Sequence, residues 1–250
     1  MRRLILVIIF LSLSLQAKEI YATFNIEALR DADLAFSSSG IVKEVLVNIT
    51  SVVKKGDSLA KLDNDDLKSA LAISRVELKN AKVALKFAKR EYNRQLKVKN
   101  VIDASRFDKY VFNYENAKIK VELMKAKIIY SLSLLDKTIL KAPFDGVIYD
   151  KILETGDVVS GMNPKTIFKI QSKIKQKLVL EFDQKYWKDI KVGQLFNYKV
   201  DGDTKQHRGT ISKIYPYSNT KNRKIKAEVI VDGFIVGLFG DGYISSTKWK

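Results

Sequence analysis

A long central stretch without glycine or proline constrains the fold of this chain more than any other feature. Neither residue occurs in residues 57–142, whereas ten of the twelve glycines lie from Gly146 onward. Glycine and proline are the strongest local interrupters of helices. The stretch can therefore form unbroken helices, while the flanks, where the glycines cluster, are expected to form turns and strands.

Within this stretch, apolar residues recur at alternating steps of three and four, once over residues 67–92 and again over residues 107–135. Lysine, glutamate, arginine and asparagine fill most positions between them, which is typical of helices that pack along one seam. The segment 99–102 is only long enough to reverse the chain. Residues 64–136 are therefore predicted to form a long antiparallel helical hairpin, with its tip at about 99–104.

Both predicted helices begin at residues suited to capping. Four polar residues precede or open the first helix, namely Asp63, Asn64, Asp65 and Asp66. Asp103 stands at the start of the second helix. Short polar side chains at these positions accept hydrogen bonds from free backbone N–H groups, and acidic ones also oppose the positive end of the helix dipole.

Composition narrows the chemistry that the chain can perform. It contains no cysteine and a single histidine, His207, which excludes disulfides, cysteine-ligated metals and thiol nucleophiles and argues against a histidine-based triad. No catalytic, cofactor-binding or metal-binding residues are predicted, and the chain is not expected to be an enzyme. The net charge of +17 favours an anionic partner, whether nucleic acid, membrane surface or acidic protein.

The N-terminus distinguishes among these partners. Arg2 and Arg3 precede an apolar run over residues 4–15, and Ala17 follows as a small residue at a cleavage point. This order predicts a secretory signal peptide over residues 1–17, with an uncleaved anchor as the alternative, because a bilayer span needs roughly 20 apolar residues. An exported chain argues against nucleic acid as the partner.

The same short pattern flanks the hairpin on both sides: a glycine, a strand of alternating apolar and polar residues, a tight turn and a second glycine. The first copy contains Gly40 and Gly56, and the second contains Gly146, Gly156 and Gly161. Two such copies on either side of one insertion predict the two halves of a single β sandwich. The halves are expected at residues 37–63 and 137–170.

This order of half-motif, hairpin and half-motif resembles that of periplasmic adaptor proteins, the membrane fusion proteins of the HlyD and RND-efflux type. The segment 142–148 followed by 156–159 resembles their second lipoyl-like half-motif, and the segment 40–63 resembles the first. The lipoyl-like motif residues are then Gly40, Gly56, Pro143, Gly146, Gly156 and Gly161.

The resemblance also implies a β-barrel domain. Its first strands are expected in residues 18–36, where apolar residues alternate, and the rest in residues 171–250. Residues 237–243 resemble the family's closing glycine-rich barrel turn, and little room remains for a membrane-proximal domain. The expected fold is α+β, an elongated multidomain protein with a β-barrel and a lipoyl-like β sandwich split by a coiled-coil hairpin.

In drug-efflux relatives the hairpin tip carries a spaced Arg–Leu–Ser pattern that docks on the end of an outer-membrane channel. Alignment with that tip places Leu96 on the leucine, Tyr92 on the arginine and Asp103 on the serine, so one position of three matches. The predicted channel contacts are Tyr92, Arg94, Leu96, Val101, Ile102 and Asp103. The alternative is that these residues only close the turn.

The resemblance implies a non-enzymatic, cofactor-free adaptor at the inner membrane of a Gram-negative periplasm. It would bridge an inner-membrane transporter, of RND type or alternatively ABC type, to a TolC-type outer-membrane channel, and seal the conduit. Self-association into a ring of three or six and contact with the membrane surface are also implied. The alternatives are a lipoyl or biotinyl carrier subunit and a basic coiled-coil protein that binds nucleic acid. The helical insert occupies the position at which true carriers present their lysine, and Lys61 and Lys141 are expected to be solvated charges at strand ends.

Overall fold

A computed structural model describes residues 19–245. The predicted signal peptide lies outside the described residues. No helix within the described part has both the length and the apolar character that a membrane crossing requires. Residues 19–245 form two units, one of residues 19–31 with 171–245 and one of residues 32–170, and each is described by itself.

In chain order the elements are β1 (Glu19–Ala28), β2 (Asp31–Leu34), β3 (Gly40–Val45), β4 (Val52–Val53), β5 (Ser58–Leu62), α1 (Asp65–Leu96), α2 (Ala104–Asp136), β6 (Ile139–Lys141), β7 (Gly146–Lys151), β8 (Val158–Val159), β9 (Phe168–Gln171), β10 (Lys175–Asp183), β11 (Leu195–Val200), β12 (His207–Asn219), β13 (Lys224–Asp232) and β14 (Phe239–Ser245), with a short 3-10 turn at Gln184–Tyr186.

The first unit is a closed six-stranded barrel in the order β1, β10, β13, β12, β11, β14. β1 pairs antiparallel with β10 on one side and β14 on the other, with Phe24 opposite both Leu180 and Gly240. Alternate residues of β1 are buried, as expected when one face of a strand fills a barrel. The core also contains Phe182, Phe196 and Val229.

The glycine-rich segment near the C-terminus differs from the prediction. The structure shows a strand, β14, over most of it, rather than a turn. Gly240 and Gly242 belong to this strand, and a Cβ on either would collide with the backbone of the neighbouring β11. Glycine is needed here because the strands approach closely, and a strand context was not readable from the glycines alone.

The second unit contains a sandwich of two four-stranded sheets, ordered β2, β9, β7, β4 and β6, β5, β3, β8. Each sheet combines strands that precede the hairpin with strands that follow it. The structure places residues 32–36 in this sandwich and not in the barrel, because Leu34 and Phe36 are buried in its core. The strand β9, which pairs with β2, lies far along the chain. The local residue pattern therefore did not reveal the boundary between the barrel and the sandwich.

Between the two halves, α1 and α2 pack against each other as the predicted hairpin. At 1.5 Å per residue each helix is about 50 Å long. Leu71, Ala81, Val121 and Met124 of the predicted seam are buried, as the spacing of three and four requires. The predicted fold class, a β-barrel with a lipoyl-like sandwich split by a coiled-coil hairpin, is confirmed.

Candidate functional site

The two half-motifs interlock through a pair of equivalent turns. In the first, the Lys54 N–H donates to the Asp57 carboxylate at 2.8 Å, and the Gly56 N–H donates to the Ala142 carbonyl at 2.8 Å. Gly56 has φ +92°, a left-handed conformation that favours glycine. Ala142 in turn donates its N–H to the Asp57 carbonyl at 2.9 Å, so this turn of the first half is held by the second half.

The second turn repeats this arrangement with the halves exchanged. The Glu154 N–H donates to the Asp157 carboxylate at 2.8 Å, and the Gly156 N–H, at φ +96°, donates to the Val42 carbonyl at 2.9 Å. The Val42 N–H donates back to the Asp157 carbonyl at 2.8 Å. Asp57 and Asp157 are therefore structural residues that the predicted motif residues did not include, although their identical place after each glycine was a visible signal.

The remaining motif residues support the same sandwich. Gly40 begins β3 beside Leu62, and Gly146 begins β7 at a buried position. A Cβ on Gly161 would lie 2.5 Å from the Ser37 carbonyl oxygen. Pro143 directly precedes the turn into β7. These residues therefore shape the strands and turns of the sandwich from which the hairpin extends.

The hairpin joins the sandwich through a buried polar contact at its base. Asn64 was a cap candidate, but its side chain makes no capping bond and instead donates to the Thr138 hydroxyl at 2.9 Å. Both side chains are buried, and the Thr138 carbonyl accepts from the Leu62 N–H at 2.9 Å. The start of α1 is thus tied to the end of α2, where both meet β5.

Replacing Asn64 with alanine is expected to lower the free energy of unfolding by about 1–3 kcal/mol, because it leaves a buried hydroxyl short of one partner. Urea unfolding followed by far-ultraviolet circular dichroism measures this. The matched control is Asn80→Ala, at an exposed α1 asparagine whose side chain makes no hydrogen bond within residues 19–245. It should be neutral or stabilising, since alanine favours helix, and equal losses in both variants would contradict the role of Asn64.

The acidic first turn of α1 is neutralised by lysines. Lys43 lies 2.8 Å and Lys68 3.0 Å from the Asp65 carboxylate, and hydrogen bonds from Lys43 and then Lys68 hold the pKa of Asp65 below its ordinary value. Lys43 also lies 3.6 Å from Asp63. Within residues 19–245, no three histidine or acidic side chains group closely enough to hold a metal ion.

Aromatic residues close the seam as it nears the tip. The Tyr92 ring stacks on Tyr114, with ring centroids 5.1 Å apart, and lies 6.0 Å from Phe107. Lys99 places its ammonium 5.4 Å from the centre of the Phe107 ring. Tyr92, aligned with the family's arginine, is therefore half-buried between the helices and presents only part of its ring to a partner.

The tip itself is an apolar surface on a short loop. α1 ends at Leu96 and α2 begins at Ala104, so the reversal occupies residues 97–103. Leu96, Val98 and Val101 are exposed, Val101 by 86%, and Ile102 is partly exposed. Val98 was missed by the alignment with the family's tip, although it is an apolar residue within the same turn.

Polar groups surround this apolar surface. Asp103 caps α2 as predicted, accepting from the Arg106 N–H at 3.1 Å. Arg94 pairs with Glu91, and hydrogen bonds from Gln95 and then Arg94 lower the pKa of that carboxyl. The tip thus offers exposed valine and leucine side chains beside fixed charges, which suits contact with another protein better than it suits chemistry.

The other residues considered in the sequence have structural partners. Lys61 pairs with Glu44 at 2.9 Å, and Lys141 pairs with Asp136. His207 lies 2.8 Å from the Asp203 carboxylate and stacks on Tyr198. These contacts stabilise strand ends and the β11–β12 turn.

Comparisons with known proteins match this architecture. The sequence profile of the CzcB-like, barrel-sandwich hybrid domain matches residues 30–171. Among curated proteins, no sequence matches the chain significantly.

Solved structures share the fold over most of the chain. A MacA–MexA chimera with the α-hairpin domain of Pseudomonas aeruginosa MexA aligns with a TM-score of 0.77 at 20% identity. The alignment covers 92% of this chain and 80% of the chimera. The membrane fusion protein Spr0693 from Streptococcus pneumoniae aligns with a TM-score of 0.75 at 16% identity, and the alignment covers 92% of this chain and 100% of Spr0693. MacA from Actinobacillus actinomycetemcomitans aligns with a TM-score of 0.64 at 21% identity, and the alignment covers 92% of this chain and 79% of MacA.

The matched profile covers both halves of the sandwich and the whole hairpin, which are the parts that carried the resemblance in the sequence. The chain belongs to the CzcB-like barrel-sandwich hybrid family, and its fold is that of the membrane fusion protein Spr0693 and of MacA.

Proposed function

We propose that this chain is the periplasmic adaptor of a tripartite efflux or secretion system in a Gram-negative envelope. It joins an inner-membrane transporter to a TolC-type outer-membrane channel and seals the conduit between them. One observation carries the proposal. Both half-motifs share a single sandwich core, and the hairpin between them ends in an exposed apolar tip. The transporter is of RND type in this proposal, with an ABC transporter as the alternative.

Each part has a separate task in this proposal. The tip docks on the channel through Leu96, Val101 and Ile102, with Asp103 fixing the start of α2 and Arg94 beside them. The barrel contacts the transporter, and the positive charge of the chain favours anionic lipid headgroups at the inner membrane. Copies of the chain form a ring of three or six, because a single two-helix hairpin cannot enclose a conduit. Energy comes from the transporter.

The tip can be tested without disturbing the fold. The double variant Leu96→Asp, Val101→Asp should reduce export to the level of a deletion strain, because the charged side chains would lose solvation on docking. The readout is cellular tolerance to a panel of drugs, dyes, bile salts and metal ions, with circular dichroism of the purified chain as the check on folding. Full tolerance in this variant would remove the tip from the mechanism.

Two controls sharpen this test. The double variant Ile152→Asp, Met162→Asp introduces the same two charges at exposed apolar residues of the sandwich unit, and tolerance should stay near the unmodified level. Asp103→Asn retains a capping oxygen but removes the charge, so it separates closure of the turn from contact with the channel. Cell fractionation that places the chain in the cytoplasm would contradict the periplasmic location.

A further inference from the structure

One flank of α1 carries a row of basic side chains that follows the helix towards the tip. The members of this cationic row recur mostly at steps of three or four residues, and they are Arg75, Lys79, Lys82, Lys86, Lys89 and Lys97. Asn93 continues the spacing as the one uncharged position. Because successive residues are about 100° apart around a helix, all of them lie within about 40° of one direction, which is about 100° from the seam with α2. The row is about 33 Å long.

The cationic row has no acidic partner on its own helix. Residues 67–97 contain two acidic residues, Glu77 and Glu91, and both lie on the opposite flank of α1. Glu77 pairs with Lys127 at 2.6 Å, and Glu91 pairs with Arg94. Every cation of the row is exposed, and none makes an ion pair or a side-chain hydrogen bond within residues 19–245.

The second helix does not compensate the row either. The Ser74 and Ser131 hydroxyls lie 3.5 Å apart across the seam, so residues 75–89, which hold five of the six cations, are level with about residues 116–131 of α2. That window contains a single acidic residue, Glu122, and four lysines. Glu122 pairs at 2.8 Å with one of these lysines, Lys125 of its own helix. The positive charge of the row is therefore uncompensated within the hairpin.

Towards the tip the row borders a groove of about 470 Å³ on the surface of α1. Its lining residues all belong to α1 or its C-cap, and five of the six are basic; they are Lys86, Lys89, Arg90, Asn93, Arg94 and Lys97. Arg94 pairs with Glu91, and the other four basic residues make no ion pair in the part of the chain that the structure describes. A groove whose walls carry one sign of charge attracts ligands of the opposite sign.

We propose that the cationic row binds the carboxylate-bearing strands of the peptidoglycan wall. The row is too long for one small anion, so its ligand is extended and repeats its negative charges. An exported chain meets peptidoglycan, whose peptide carboxylates recur along each strand, whereas nucleic acid lies in another compartment. The inference rests on the periplasmic location in the proposed function, and it adds a partner outside the pump.

The residue types of the row suit such a ligand. Five of the six cations are lysines, and an ammonium on a flexible stem donates to oxygens from many directions, whereas a guanidinium favours two-pronged contact at a fixed geometry. Each exposed lysine–carboxylate contact is weak, but several contacts along one strand reinforce each other. The row contains no aromatic residue, unlike surfaces on which rings stack against bases. It can therefore hold a flexible, charged polymer without a shaped pocket.

Co-sedimentation of the full-length chain with isolated peptidoglycan sacculi, stripped of bound proteins, measures this contact. The quadruple variant Lys79→Gln, Lys82→Gln, Lys86→Gln, Lys89→Gln should bind about tenfold more weakly, because four charge contacts are lost together. Glutamine has nearly the helix propensity of lysine, and circular dichroism checks the fold. Unchanged binding by this variant would overturn the proposal.

A matched variant removes the same charge elsewhere. It combines four replacements at exposed lysines that lie outside the row and make no ion pair within residues 19–245, namely Lys109→Gln, Lys120→Gln, Lys165→Gln and Lys173→Gln. Its net charge equals that of the row variant, yet its binding should stay within about twofold of the unmodified chain, because distant exposed charges are screened. Equal losses in the two variants would show that binding follows net charge, and would reject the row as the site.

Changes to the wall identify the group that is bound. Conversion of the wall carboxylates to neutral amides should remove most of the binding by the unmodified chain, and about 0.5 M salt should do the same by screening exposed charges. Equal binding to amidated and untreated sacculi would contradict a carboxylate ligand. Vesicles containing anionic phospholipid test a membrane as the partner instead. A row variant that loses vesicle binding but keeps full sacculus binding would assign the row to lipid and overturn the wall contact.

Drug tolerance separates the wall contact from the proposed function. A row variant that loses sacculus binding but confers normal tolerance would support both the wall contact and the adaptor as separate properties. An unmodified chain that binds sacculi through the row but confers no tolerance would support the row and reject the adaptor. A chain that confers tolerance but does not sediment with sacculi would reject the row and retain the adaptor.

Discussion

Gly240→Ala is expected to destabilise the barrel unit by more than about 3 kcal/mol, which is enough to unfold many domains. A Cβ at this position would lie on the Lys199 carbonyl oxygen and 2.5 Å from Cζ of Phe24. β14 cannot move aside, because it pairs with β1 and β11 at once. Phe24 cannot move either, since its ring packs edge-on against Phe196 and Tyr198 in the barrel core.

Calorimetry of the full chain measures this loss as a lower melting temperature for the barrel transition. Gly233→Ala is the matched control, because its φ is +81° but a Cβ there would meet open space. That variant should cost only about 1 kcal/mol, the usual penalty for a left-handed residue other than glycine. Similar losses in the two variants would mean that backbone conformation, and not close strand packing, explains Gly240.

Phe168→Ala is expected to destabilise the sandwich by about 3–5 kcal/mol, because truncating a buried phenylalanine leaves a cavity. Phe168 is fully buried and comes from the half-motif that follows the hairpin. It belongs to one core with Val42 and Leu59, which precede the hairpin, and with Ile148 and Ile170, which follow it. A loss of this size therefore tests whether the two halves share a single core.

Urea unfolding at low protein concentration, followed by circular dichroism, measures the effect. Phe112→Ala is the control in the same unit, since that ring is 65% exposed on α2 and its removal should change stability by less than about 0.5 kcal/mol. If Phe168→Ala costs no more than this control, the half-motifs do not form one sandwich core. The barrel transition should stay unchanged in both variants.

The hairpin was predictable because its information is local. A helix repeats every 3.6 residues, so the series 67–92 and 107–135 identified the buried side of each helix directly from the order of residues. Asp103 was predictable as a cap for the same reason, because a cap acts only three residues away.

Contacts between distant segments were not predictable in the same way. Asparagine is a residue type favoured at helix caps, so Asn64 was predicted as a cap. It instead forms a buried hydrogen bond between the two helix ends, because Thr138 lies within hydrogen-bonding distance. Residues 32–36 continue an alternating pattern that fits either β domain, and pairing with β9 decides for the sandwich. The partner of a strand can lie anywhere in the chain, so its choice leaves no local periodic signal.

The amino-acid sequence by itself determined the helical hairpin, its seam and the paired half-motifs around it, because each follows from the spacing of neighbouring residues. The tertiary structure alone decided how the turns at Gly56 and Gly156 interlock and why Gly240 lies in a strand. Each of these depends on which distant backbone lies within a few ångströms, a distance that chain order does not contain.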